Sequence, residues 1–320
     1  MNNSHYARMI KTKALELGFS SCGIAKAEFL AEEAPRLERW LNLGMNGTMS
    51  YLNNWFDKRL DPRKLVDGAK SVICVLHNYY TDKEPTDPST LMIARYARGK
   101  DYHWVTKKKL KLLLDFIHAE ISDVNGRVFV DSAPIMEKAW AARAGLGWIG
   151  KNSLLLTRSS GSFHFIGTII TDLELEHDQP TNDFCAKCRR CLDGCPTGAI
   201  VEPQIVDARK CISYLTIEYR GALPTELRSK FQNQIFGCDI CQDVCPWNRK
   251  AKPHSEPQFE SSPQLLSVTR DDWEKLKTGD YRRLFKGTAV TRTGFRGLKR
   301  NINFLTMPNA GSTGNDDENP

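Results

Sequence analysis

Eight of the ten cysteines lie between Cys185 and Cys245, and their spacing constrains this chain more than anything else in it. Cys185, Cys188, Cys191 and Cys195, followed by Pro196, form a CxxCxxCxxxCP run. Three closely spaced thiolates can wrap one four-iron four-sulfur cubane, and the chain turning away at the proline sends the fourth to a neighbouring cluster. The second group supplies only Cys238, Cys241 and Cys245 before Pro246, with Cys211 standing between the groups. A pseudo-symmetric exchange therefore assigns Cys185, Cys188, Cys191 and Cys245 to one cluster and Cys195, Cys211, Cys238 and Cys241 to the other. Zinc sites also use CxxC pairs, but seldom add a third cysteine at that spacing and then a Cys-Pro. Cys22 and Cys74 fall on apolar, strand-like segments and are expected to be buried small hydrophobes.

The composition is that of an ordinary soluble protein, and the cysteine pattern alone points to an iron–sulfur redox enzyme. The 320 residues are 41% hydrophobic, enough for a core and more than one domain. A balance of 45 Lys+Arg against 38 Asp+Glu, net +7, permits a polyanionic partner without requiring one. The N-terminus places Ile10, Ala14 and Leu17 at helical spacing among charges and lacks the apolar core of an export signal. No run reaches the roughly 20 apolar residues of a membrane helix. The expectation is a cytoplasmic protein, where clustered thiols serve as metal ligands rather than disulfides.

Residues 1–177 alternate helical and strand patterns, including the runs SVICVL and RVFVD and a long amphipathic stretch from His103, and predict an α/β domain of α+β layered type. Residues 178–250 read as a bacterial-ferredoxin-like domain with two clusters and one helix from Asp207 to about Tyr219, Asp207 being its N-cap. Residues 251–308 read as a Pro- and Ser-containing linker followed by a basic helical segment, and 309–320 as a disordered tail. No GxGxxG follows a strand, and GLGWIGKN substitutes poorly for one, so a nicotinamide site is not expected.

Several strings in order, KRLDPRKLVDGAKSVICV, RYARGKDYH, VDSAPIMEKAWAARAGLGWIGKNSLLL, the first cysteine run with PTGAI, RKCISYLTIEYRG and FGCDICQDVCPWN, resemble the epoxyqueuosine reductase family. The resemblance spans most of residues 1–250. It implies a base-off cobalamin between the α/β and cluster domains, one cluster near enough to reduce the cobalt, and reduction of epoxyqueuosine to queuosine at the tRNA wobble position. There is no DxHxxG, the signature of a histidine lower ligand.

By the same resemblance Asp131 is the proton donor, with His103, Tyr102 and Tyr96 as secondary candidates in the same pocket. On its own residues, Asp131 reads either as a helix N-cap before Ser132 or as a strand end facing a ligand crevice, where burial would raise its pKa. The cobalamin contacts carried over are Arg59, Ala94, Arg95, Asp131, Leu155, Ile166, Ser213 and Asp239, with Lys151 and Asn152 as polar neighbours. His77 and His164 read as ordinary structural histidines.

A basic run that includes Arg282, Arg283, Lys286, Arg292, Arg296, Lys299 and Arg300 holds no acidic residue. It can neutralise phosphates or simply form a solvated face. Arg292, Arg296, Lys299, Arg300 and Arg220 are taken as tRNA contacts, and Phe295 as a stacking candidate. Many longer family members carry a C-terminal helical-repeat extension, whereas the present sequence stops soon after LKRNINFL. The implied partners are tRNA carrying epoxyqueuosine and a low-potential electron donor. The alternatives are a reductive dehalogenase-like enzyme, whose respiratory members usually carry a twin-arginine signal, and a non-catalytic two-cluster electron carrier.

Overall fold

The computed structural model describes residues 3–306; the tail expected to be disordered lies outside the described residues. The first half runs α1 (Asn3–Glu16), β1 (Ser21–Lys26), α2 (Glu33–Asn42), α3 (Phe56–Leu60), β2 (Ser71–Asn78), β3 (Met92–Ile93) and α4 (Tyr102–Glu120). It continues through β4 (Gly126–Phe129), α5 (Glu137–Arg143), β5 (Trp148–Ile149), β6 (Leu155–Leu156) and β7 (His164–Thr171). The central sheet has the order β1-β2-β7-β4, and every pair in it is antiparallel. The ligand-crevice rule for parallel sheets therefore does not place Asp131, and the α+β side of the expectation is the one observed.

The sheet is covered on both faces, which explains the unbroken apolar run of β2. Ile73 and Val75 pack against Ile10 and Ala14 of α1 and Leu110, Leu113 and Ile117 of α4. Val72, Cys74 and Leu76 point the other way, against Trp140, Ala141 and Ala144 of α5. Burying each large aliphatic side chain contributes about 1.5–3 kcal/mol. Cys74 is fully buried and Cys22 packs at the edge of the same sheet, neither near the other eight cysteines.

Gly23 marks the tightest approach between sheet and helix: a Cβ there would stand 2.1 Å from the carbonyl oxygen of Ala144. Gly23→Ala is expected to destabilise the protein by about 1–3 kcal/mol through overpacking, seen as a lower thermal midpoint with cluster absorption unchanged below it.

The cysteine-rich region contains α6 (Arg190–Asp193), β8 (Ile200–Glu202), β9 (Ile205–Val206), α7 (Ile212–Ile217), β10 (Gln234–Phe236) and α8 (Ile240–Asp243). The single helix expected from Asp207 is broken. Asp207 accepts from Arg209 N and caps a 3-10 turn over residues 208–210, after which Cys211 takes the N-cap position of α7.

The segment read as linker and basic helix is a packed unit. Phe259 is buried between His77 and Phe165. Beyond it, α9 (Pro263–Leu266), α10 (Arg270–Glu274), α11 (Thr278–Phe285) and α12 (Gly294–Thr306) enclose Trp273, Phe285, Val290, Leu298 and Ile302 against Ile93, Ile235 and Phe236 of the β3–β10 pair. From α12, Asn301 Nδ2 donates to the carbonyls of Thr216 and Ile235, and the Arg300 guanidinium to that of Leu215.

Candidate active site

Asp131 follows β4 by two residues and sits in the left-handed backbone region at φ 56°, which aspartate tolerates better than most side chains. It is therefore neither the last strand residue nor a helix cap. Its N–H donates to Glu137 Oε1 at 2.8 Å, so the first turn of α5 fixes the loop. The Tyr102 hydroxyl donates to Asp131 Oδ2 at 2.5 Å, and His103 Nε2 lies 3.2 Å from the same oxygen. His103 Nδ1 lies 2.7 Å from Asp101, the N-cap of α4. Tyr102 is stacked between His103 and Phe165, and Tyr96 meets it edge-on.

An imidazole with a carboxylate at each ring nitrogen favours its charged form. Burial works against the charge on His103, but hydrogen bonds to Asp101 and Asp131 prevail and raise its pKa to about 9. Crowding likewise opposes charge on Asp131, yet His103 and Tyr102 hold its carboxyl below the usual range. With 60% of that side chain reached by solvent, the hydrogen bonds decide. The expectation that burial keeps Asp131 protonated is thus corrected for the protein alone: near neutrality the proton resides on His103. Burial, reinforced by the charge of Asp131, pushes Glu137 up to about 8.

This arrangement predicts the alkaline limb of a pH–rate profile. His103 has a raised pKa, so the stability its imidazolium contributes is fully present below about 6.5 and disappears as pH rises through about 9. Turnover should fall across the upper part of that window, and His103→Gln should remove the limb while retaining the clusters.

A cleft of about 910 Å3 adjoins this group through Tyr96, while Asp131, Tyr102 and His103 stand behind its lining. One wall carries Trp40, Tyr79, Tyr96, Lys138 and Asn152; the other carries Cys195, Cys211, Cys238 and Cys241. Cys185, Cys188, Cys191 and Cys245 edge a separate small cavity with Lys151 and Trp247. The chain thus gathers the cysteines into the two interleaved sets read from their spacing. Among the described residues, no group of three His, Cys, Asp or Glu is drawn together as a single metal ion requires.

The cysteine sets fit clusters chemically. Burial raises Cys238 to about 12, and burial together with Cys238, Cys211 and Cys195 holds Cys241 well above the ordinary thiol range. Such crowded thiols become thiolates only when a cationic centre compensates them. Donors already face the sulfurs: Ala199 N lies 3.3 Å from Cys195 Sγ and Trp148 Nε1 3.3 Å from Cys185 Sγ. The cleft, walled by four of these cysteines and by aromatic and aliphatic side chains, has the size and lining of a site for a large planar cofactor.

The other candidates divide. Ser213 and Asp239 line the cleft. Asp239 also accepts from Arg95 N, and Arg95 is engaged by Glu84 and Asp243. Ala94 lies against Gly237, while Leu155 and Ile166 belong to the core behind the cleft. Arg59 donates to the carbonyls of Tyr51 and Asn54. Lys151 donates to the carbonyls of Ala186 and Cys188, and so braces the first cysteine loop.

In the basic run, Arg300 is committed to the carbonyls of Leu215, Tyr219 and Gly221, Arg220 to those of Ile217 and Arg292, and Lys299 to that of Glu274. Arg292 forms a two-pronged pair with Glu218. Arg296 is exposed. The sequence reading passed over Asp101, Glu137 and Lys138. Their only signal was proximity to Asp131 and His103, and Glu137 looked like an ordinary first-turn helix charge.

A family profile described as "Epoxyqueuosine reductase QueG, DUF1730" matches residues 59–132, and one described as "4Fe-4S double cluster binding domain" matches 184–248. The epoxyqueuosine reductase of Cellulophaga algicola is 57% identical over 300 residues, covering 94% of this chain and 98% of its own. The chain belongs to the epoxyqueuosine reductase family. The Escherichia coli family member is 42% identical, over 92% of this chain and 79% of that one. Among solved family structures, an epoxyqueuosine reductase with an epoxyqueuosine-modified tRNA-Tyr stem loop superposes at TM-score 0.88 with 30% identity, covering 95% of this chain and 81% of that one. The Bacillus subtilis enzyme, whose aspartate-bearing catalytic loop is swung out of its active site, superposes at TM-score 0.86 with 29% identity, covering 95% of this chain and 82% of that one. Family membership fixes residues 184–248 as a double four-iron four-sulfur domain.

Proposed function

We propose that this protein is a cytoplasmic epoxyqueuosine reductase that acts on tRNA, with cobalamin seated in the cleft between the Asp131 group and the second cysteine set. The observation that carries the reading is this juxtaposition: four cluster-forming cysteines share a large cleft with Tyr96, which meets Tyr102 of the Asp131–His103 group edge-on. The family relatives, and the neighbour holding an epoxyqueuosine-modified stem loop, support the substrate.

The reaction consumes two electrons and two protons per epoxide and releases water. Cobalamin, when bound, supplies a low-valent cobalt centre able to attack or reduce the epoxide. Asp131 directs Oδ2 toward the opening oxygen and passes it a proton drawn from His103 Nε2, while Asp101 holds the imidazole in line. Tyr102 fixes the orientation of the carboxylate, and its raised pKa keeps its own hydroxyl proton in place. Ser213 and Asp239 offer polar contacts on the cluster side of the cleft. Cys195, Cys211, Cys238 and Cys241 hold the cluster nearest the cleft, and Cys185, Cys188, Cys191 and Cys245 the outer one. Arg296, exposed and with no internal contact among the described residues, is the candidate cation for tRNA phosphates.

Anaerobic reconstitution with iron, sulfide and cobalamin, followed by a chemical reductant and tRNA bearing epoxyqueuosine, should yield queuosine. A protein loaded with both clusters and cobalamin that produces none would overturn the reading.

A further inference from the structure

The two cysteine loops occupy equivalent positions in the cluster domain but carry opposite chemistry. Around the second set the intervening residues are Asp239, Ile240, Gln242, Asp243 and Val244, and Asp239 and Gln242 are buried in the cleft wall. Around the first set they are Ala186, Lys187, Arg189, Arg190, Leu192, Asp193 and Gly194, with three exposed cations to one exposed acid. The chain following Cys245 adds exposed Arg249 and Lys250, the latter 5.1 Å above the ring of Trp247. Arg158 lies 5.3 Å over Phe184, which is 37% exposed and packs on Trp148 and Trp247.

These features form one face. Trp247 and Arg190 line the first cysteine cavity, and Arg190 and Arg249 also line an open hollow of about 400 Å3 beside it. Two of the acids nearby are paired, Asp193 with Arg189 and Asp243 with Arg95, while Asp183 accepts from the N–H of Cys185 and keeps its charge. The result is an aromatic centre ringed by Arg158, Arg190, Arg249 and Lys250, none of them ion-paired among the described residues, over the cluster farther from the cleft. Asn152 touches both cavities and donates to the carbonyl of Cys241, so the wall between the two cysteine sets is one side chain deep at that point.

We infer that this face docks an acidic electron-carrier protein, which delivers electrons singly to the first cluster for onward transfer to the second cluster and the cleft. The inference rests on the proposed two-cluster reductase reading. Each encounter oxidises the carrier by one electron and reduces a cluster by one; two encounters supply the pair that, with two protons, converts the epoxide oxygen to water. Complementary charge suits a transient partner that must arrive quickly and leave, because it accelerates encounter more than it strengthens the complex. A tRNA phosphate chain would also be attracted here, but the exposed Phe184 at the centre and the first cluster beneath favour a redox protein.

The test uses the fully loaded enzyme and its Arg158→Glu/Arg249→Glu/Lys250→Glu variant. Cluster bleaching is followed by stopped flow with reduced flavodoxin as the acidic carrier and with reduced methyl viologen as a small cation. Reduction by flavodoxin at low salt should slow by roughly 10- to 100-fold and lose its salt dependence. Reduction by methyl viologen and affinity for tRNA should not fall. If the triple variant loads clusters poorly, the corresponding Gln variant carries the same comparison with a smaller expected loss. An unchanged flavodoxin rate overturns the inference. So does a loss of tRNA affinity with the flavodoxin rate intact, which would assign the face to RNA. Failure of the wild-type enzyme to make queuosine even with methyl viologen would instead strike the proposed function.

Discussion

Asp131→Ala is expected to lower turnover by about 100- to 10,000-fold, the usual range for loss of a positioned general acid, while leaving cluster and corrin absorption intact. The variant removes the acceptor of the Tyr102 hydrogen bond and one of the two carboxylates beside His103. The His103 pKa should then fall from about 9 toward its ordinary value, because only Asp101 continues to support the imidazolium. Measuring kcat with tRNA and the His103 titration by NMR checks both consequences. Asp131→Asn separates them further, since it preserves an acceptor for Tyr102 without an acid. Turnover that survives Asp131→Ala would remove this residue from the reaction.

Cys211→Ala should have the larger structural effect. Cys211 fills the gap in the second cysteine motif and stands at the N-cap of α7, in the wall of the cleft. Its loss leaves Cys195, Cys238 and Cys241 around a site built for four thiolates. Iron content and visible absorption should drop by about half, as expected when one of two four-iron clusters is missing, and turnover should disappear. Cys22→Ala is the control, because Cys22 packs beside the central sheet and should leave iron content unchanged. Full iron loading in Cys211→Ala would transfer the fourth ligand to another residue.

The cysteine sets were legible because ligand spacing is local and the proline steps fix where the chain turns. The two-faced burial of β2 was legible for a similar reason: from Val72 to Leu76 the run VICVL has no polar position to offer water. Asp131 was legible as a residue but not as an environment. Its protonation depends on His103 and Asp101, nearly 30 positions earlier, and its backbone is held by Glu137 across a loop. The sequence reading set Asp131 at a strand end and its proton on the carboxyl, whereas the left-handed backbone and the two-carboxylate imidazole give a different arrangement. The basic run was legible only as charge. Its positive charges were plain, but Arg220, Lys299 and Arg300 satisfy backbone carbonyls, a use of arginine and lysine that composition does not distinguish from phosphate binding. Likewise the apolar positions of residues 263–306 needed the distant β3–β10 pair before they could read as a core.

The grip of α12 on α7 and β10 also bears on the order in which the protein can mature. Asn301 and Arg300 secure the helix that begins at Cys211 and the strand that leads into Cys238. A ribosome therefore has to release α12 before the frame for the second cluster can close, and the first cluster must wait for Cys245. Iron delivered earlier meets thiols that the chain has not yet brought together, so cofactor insertion belongs to the end of folding, after both halves of the cysteine interlock have been made.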